Sequence, residues 1–192
     1  MAQSVVPFNL VVGEGQIYMA PVGESFPAID LATPAGNWVD LGKTEGPVTI
    51  THVRAQNMIR TNQSAMGQKE VLVSADETVA FSLAEIDLEA YGDILQNTTP
   101  TTVAAGSGTA GYREFAIAPS YSPQFALLVR VKSAYADGFR HYEYDRGSFA
   151  ADHALAYTRG DKTVIPCEFH VFESTSTPGQ FGIIKDYESA AV

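Results

Sequence analysis

Residues 78–85 read Thr-Val-Ala-Phe-Ser-Leu-Ala-Glu, with Val79, Phe81 and Leu83 on one side of an extended chain and Thr78, Ala80, Ser82 and Ala84 on the other. Alternation with period two is the signature of a half-buried β-strand. The same pattern marks residues 48–53, 70–74 and 162–173, where Ile165, Cys167, Phe169 and Val171 alternate with Glu168 and His170. Residues 16–21, 38–42, 101–104, 112–118, 124–132, 139–145, 149–157 and 180–187 are further strand candidates, with turn signals at 106–108 and 136–138. Helical spacing is confined to residues 87–96. There Leu88, Tyr91 and Leu95 share a face, Asp87 can cap the first turn, Glu89 suits the helix dipole, and Pro100 follows as a stop. Strands, one helix, then more strands predict a mainly β fold. The expected form is an antiparallel β-sandwich or barrel with one short flanking α-helix. A parallel sheet needs repeated crossover helices, which this pattern lacks.

At 192 residues the chain suits a single domain. The expected division is an N-terminal arm, residues 1–14, and one β domain, residues 15–192. Within that domain, residues 54–68 are polar and lose the alternation, as a long loop or an extended hairpin tip would. Loops of that length in compact domains usually carry function or are disordered.

Charge and chemistry narrow the function. Twelve Lys and Arg are outnumbered by 22 Asp and Glu, for a formal net charge of −10. Tight binding to duplex DNA or to anionic lipid is therefore disfavoured. The N-terminus does not read as a signal peptide, and no apolar run approaches a membrane span. One cysteine, Cys167, excludes an internal disulfide and is compatible with a reducing cytoplasm.

No catalytic, cofactor or metal residues are assigned. Gly13-Glu-Gly15 lacks the third glycine of a dinucleotide fingerprint, and Gly106-Ser-Gly108 lacks the frame of a nucleophile elbow. Cys167 and His170, three apart on a strand, fall on opposite faces, so a core cysteine is the better reading. His141, Glu143 and Asp145 share a strand face that suits solvent or cross-strand pairing better than weak metal binding. Asp76-Glu77 reads as a turn. Asp87, Glu89 and Asp93 read as cap and helix surface, and Trp38 as core or subunit contact.

The order of motifs has a parallel. Gly15-Gln-Ile-Tyr18 leads to Trp38-Val-Asp-Leu-Gly42-Lys-Thr-Glu-Gly46-Pro-Val48-Thr-Ile50; a polar stretch precedes Lys69-Glu-Val-Leu-Val73; then come Thr78-Val-Ala-Phe-Ser-Leu-Ala-Glu85 and the short acidic helix. Over about residues 12–97 this layout resembles the major tail tube proteins of long-tailed, siphovirus-type bacteriophages, themselves similar in fold to the type VI secretion tube protein. The C-terminal half is longer than a minimal tube fold needs.

The resemblance implies a virion structural protein without enzymatic activity, assembled in the host cytoplasm. It implies hexameric rings stacked around the tape measure protein, a stacking loop at residues 54–68, and contacts with tail terminator and tail-tip proteins. It also implies a lumen through which duplex DNA passes into the host without tight binding, and no membrane partner. Other readings of the same composition are a head-tail joining or head decoration protein, or a carbohydrate-binding β-sandwich using Tyr142 and Tyr144.

Overall fold

The computed structural model describes residues 15–31, 33–61, 64–84, 88–94, 100–114, 123–132, 139–150, 154 and 162–187. The elements run β1 (Gln16–Pro21), β2 (Val39–Asp40), β3 (Thr49–Thr61), β4 (Ser64–Leu83), α1 (Leu88–Ile94), β5 (Thr101–Val103), β6 (Tyr112–Glu114), β7 (Phe125–Lys132), β8 (Phe139–Phe149), β9 (Ile165–Val171) and β10 (Ile183–Asp186). Eight strands form one sheet in the order β2-β1-β7-β8-β9-β4-β3, with β10 also on β8; β5 and β6 make a separate pair. Every pairing is antiparallel. β10 and β9 share one side of β8, β10 along residues 140–143 and β9 along residues 147–149.

The fold is thus mainly β and antiparallel, as the alternation predicts. Among the described residues β2 and β3 end the strand order without pairing to each other, so the sheet is not a closed barrel. It does curl over itself. Ile17 and Leu127 from one end meet Val79, Phe81 and Phe169 from the other in a single buried cluster. Phe149 sits at its centre, with ring centroids 5.2 Å from Phe169 and 6.3 Å from both Phe81 and Phe125. Gly147 makes that packing possible, because a Cβ there would lie 2.3 Å from the Phe169 ring.

Burial changes steadily across the sheet. β1 and β7 are covered on both faces. Ile17, Met19, Leu127 and Val129 enter the main cluster, while Tyr18, Ala20, Ala126 and Leu128 enter a second one under Trp38 and the partly buried Phe26. Trp38 is therefore core, its indole N–H donating to the Ser25 carbonyl at 2.9 Å. β9 alternates strictly, Ile165, Cys167, Phe169 and Val171 buried and the residues between them less so.

Three expectations need correction. Asp76-Glu77 is no turn: residues 70–74 and 78–83 belong to one strand, β4, twenty residues long. Strand candidates 139–145 and 149–157 likewise begin as one continuous strand, β8. In both places a backbone partner on each side holds the chain extended through residues whose types favour turns. The helix, described over Leu88–Ile94, forms no flanking layer; residues 87, 95 and 96 of its expected span lie outside the described residues. Its seven residues reach the core through Ile94 and Tyr91, as befits a segment too short to persist by itself. The arm at 1–14, the cap Asp87, the turn at 136–138 and the strand ends at 115–118 and 155–157 lie outside the described residues.

Candidate assembly surface

Beyond Glu77, among the described residues, β4 pairs with β3 alone. The two strands continue as a ribbon, so residues 54–61 and 64–68 are not loop but extended, paired backbone. At about 3.3 Å per residue, the nine residues from 53 to 61 carry it roughly 30 Å from its root. Register shifts between Ala55 and Gln56 and between Ile59 and Thr61 mark bulges, which add twist.

Cross-strand pairing sets His52 with Glu77, Gln56 with Leu72 and Met58 with Glu70 on one face, and Val53 with Asp76, Asn57 with Val71 and Ile59 with Lys69 on the other. Apolar side chains thus stand on both faces, and among the described residues the large ones are exposed. Met66 is 81% exposed, Val73 67% and Leu72 55%, with Val53, Met58, Ile59 and Val71 exposed beside them. A two-stranded hairpin alone is marginal in water, and apolar patches of this kind on a soluble subunit mark interaction surfaces.

The root is anchored. Tyr144 donates its hydroxyl to Glu77 Oε1 at 2.6 Å, and His52 Nδ1 stands 3.0 Å from Glu77 Oε2. Glu77 is 7% exposed, and both carboxylate oxygens have partners. Burial raises the Tyr144 pKa, and the neighbouring Glu77 carboxylate raises it further, so the phenol stays protonated and donating. Between this root and the Gln180–Ile184 segment lies a cleft of about 260 Å³, rimmed by exposed Ile183 and Ile184.

The face that β3, β4 and β9 turn away from the core is different. Pairing aligns Thr49, Ala80 and Glu168 across it, and Thr51, Thr78 and His170 beside them. These side chains are short or polar, and an open groove of about 380 Å³ runs over Thr49, Ala80, Ser82, Pro166 and Glu168.

The other sequence candidates fall into place around this frame. His141 and Glu143 do not form a solvated face. They are 0% and 2% exposed. Arg130 Nε donates to His141 Nε2 at 3.1 Å, and Lys185 Nζ stands 2.7 Å from Glu143 Oε2. Ser174 donates to Asp145 Oδ2 at 2.7 Å. The cover comes from β10 and the segment before it, where Gly182 lies so close that a Cβ would meet the Glu143 carbonyl at 2.2 Å.

Tyr144 is buried and Tyr142 partly buried against the core, so the aromatic pair offers no sugar-stacking platform. Cys167 is buried, its thiol pushed up to about 12 by desolvation, on the face opposite His170. Gly106-Ser-Gly108 forms a tight turn closed by backbone hydrogen bonds between Gly106 and Thr109. Sequence reasoning missed Glu77 as the ribbon's anchor. Its only signal was an acidic residue on the apolar face of an otherwise alternating strand.

Residues 8–191 match the sequence model of a family described as phage tail tube protein. The match extends through the C-terminal half, well beyond the motifs at residues 12–97. No curated protein matches the chain.

Proposed function

Since the chain belongs to the phage tail tube protein family and is thereby a structural component of the virion tail, we propose that its copies close into hexameric rings and stack into the tube that conducts the genome to the host. The observation that carries this reading is the ribbon, a long element whose described large apolar side chains stand exposed on both faces. An isolated sheet with free edges invites uncontrolled pairing, and closure into a ring removes the edges. In this arrangement the ribbon, which includes residues 54–61 and 64–68, serves as the stacking element between subunits. Tape measure, tail terminator and tail-tip proteins are the partners that fit a tube of this kind.

Sedimentation across a wide concentration range, with negative-stain microscopy of the same samples, tests the assembly. Rings or hollow rods are expected. A strictly monomeric species at every concentration, with no rods after seeding with tail tips, rejects it. Replacing residues 56–73 by Asn-Gly joins Ala55 to Ser74, which already pair. The shortened subunit should fold and fail to elongate; normal tubes from it would show that the ribbon has no stacking role.

The lumen in this reading is net negative and does not grip DNA. The excess of ten acidic groups repeats around the ring, and phosphates within about 8 Å of the wall are only partly screened at physiological salt. A basic wall would exchange counterions for phosphates and hold the cargo. The short polar face of β3, β4 and β9 is the suitable wall. Glu168→Lys is then expected to slow genome delivery while tubes still form. Unchanged infection, or duplex DNA retained by wild-type tubes at physiological salt, contradicts the charge argument.

A further inference from the structure

We infer that the ribbon of one copy docks by charge on the β1–β2 edge of a second copy, a contact that rests on the tube-forming reading above. The chain is strongly acidic, yet residues 54–69 contain Arg54, Arg60 and Lys69 and no Asp or Glu; Glu70 and Asp76 follow on β4, so the basic excess lies at the ribbon's outer end, beyond the Met58–Glu70 pair, with Arg60 and Lys69. The nine basic residues elsewhere face all 22 acidic ones. Residues 16–42, which span β1, its following loop and β2, are the reverse: Glu24, Asp30 and Asp40, with no Lys, Arg or His.

The fold puts these two stretches at the two ends of the strand order, since β2 closes the sheet at one side and β3 at the other. Within the subunit neither stretch neutralises the other. The ion pairs run elsewhere, as in Lys185 with Glu143 and Arg140 with Asp186. Among the described residues, none of the three basic groups and none of the three acidic ones joins an ion pair. Both stretches also expose apolar side chains, Leu31 and Val39 at the β2 end and Met58 and Met66 on the ribbon. Each therefore offers a charged, partly apolar surface that the other fits in sign.

Charge selects the geometry. Ribbon tip against ribbon tip brings Arg60 and Lys69 of both copies together, β2 edge against β2 edge brings carboxylates together, and like-charge contacts select against a wrong pairing. Ribbon against β2 edge joins unlike surfaces. A contact between unlike surfaces adds copies head to tail, which closes into a ring or extends as a stack. The occupant of the ribbon is thus the acidic edge of another copy.

A charge swap tests this. One variant carries Arg54→Glu, Arg60→Glu and Lys69→Glu; the other carries Glu24→Lys and Asp30→Lys. Each alone should raise the concentration needed for assembly by more than about tenfold. Mixed in equal amounts they should co-assemble near the wild-type concentration, because in an alternating array every ribbon then faces an edge of opposite charge. An unfolded variant cannot give that rescue. Circular dichroism checks each fold, and the milder Arg54→Gln, Arg60→Gln, Lys69→Gln protein should assemble at an intermediate concentration.

For the wild type, raising salt from ~0.1 M to ~1 M shortens the screening length from about 10 Å to about 3 Å and should weaken assembly. Folded variants that assemble like the wild type, a mixture that stays inert, or salt-independent wild-type assembly each overturn the docking contact and leave the tube reading intact. A wild-type protein that never assembles overturns both.

Discussion

The β1–β7 end of the sheet and the β3–β4 ribbon are built from the same kind of backbone, antiparallel and paired strand to strand, and of these two pairings only the ribbon's carries bulges. Their side chains meet opposite fates. At β1 and β7 consecutive residues are buried on alternating sides, because the main core lies under one face and Trp38 with Phe26 over the other. On the ribbon consecutive residues are exposed on both sides. The first region gains its apolar burial within the subunit, roughly 1.5–3 kcal/mol for each large side chain. The second leaves its described apolar side chains exposed in the subunit. In the proposed tube, stability of the fold and stability of the assembly therefore rest on different residues.

The largest expected contrast comes from the centre of the core. Phe149→Ala removes the ring that touches Phe81, Phe125 and Phe169, and should cost the isolated subunit about 3–5 kcal/mol in denaturant unfolding. A loss under about 1 kcal/mol would mean that this cluster is not what holds the subunit together.

The junction between the regions comes next. Tyr144→Phe deletes the hydroxyl that binds Glu77 and leaves one oxygen of a nearly buried carboxylate without its donor. A cost of about 1–3 kcal/mol is expected, together with faster hydrogen exchange at residues 75–77. Unchanged exchange there would detach the clamp from the ribbon's anchoring.

Alkaline titration sharpens the contrast further. Burial raises the pKa of Cys167 from its ordinary value to about 12, and raises that of Tyr144 as well. Both groups ionise more easily in the unfolded chain, so above pH 9 the unfolded state holds fewer protons than the folded one. The stability they contribute is complete below pH 9 and falls as pH rises toward 12, by no more than about 1.4 kcal/mol per pH unit for each group. Cys167→Ser should flatten the first part of that decline in thermal melts; an unaltered slope would assign the effect to other groups.

The smallest effect on the subunit is expected from the ribbon itself. Leu72→Ser and Met66→Ser change side chains that are 55% and 81% exposed, so monomer stability should shift by less than about 0.5 kcal/mol. Assembly, read by sedimentation, should nevertheless weaken severely. If the double variant destabilises the monomer as a core substitution does, the division between folding residues and assembly residues fails.

The sequence alone determined the class of the fold. Alternation at residues 78–83 and 165–171 requires strands with one buried face, and the observed burial of β4 and β9 follows it residue by residue. It also determined that Cys167 packs inward, away from His170. It could not show that residues 54–61 are strand, since a ribbon bare on both faces places the same demand on every side chain and leaves no period to read. Nor could it show that His141 and Glu143 are buried. Their cover, β10, arrives from about 40 positions further along the chain, and their partners, Arg130 for His141 and Lys185 for Glu143, stand on two other strands. Periodicity reports the surroundings of one strand averaged over its length. Which distant segment covers a polar face, and which face is left for a second copy, is decided only when the sheet curls and its two ends acquire different neighbours.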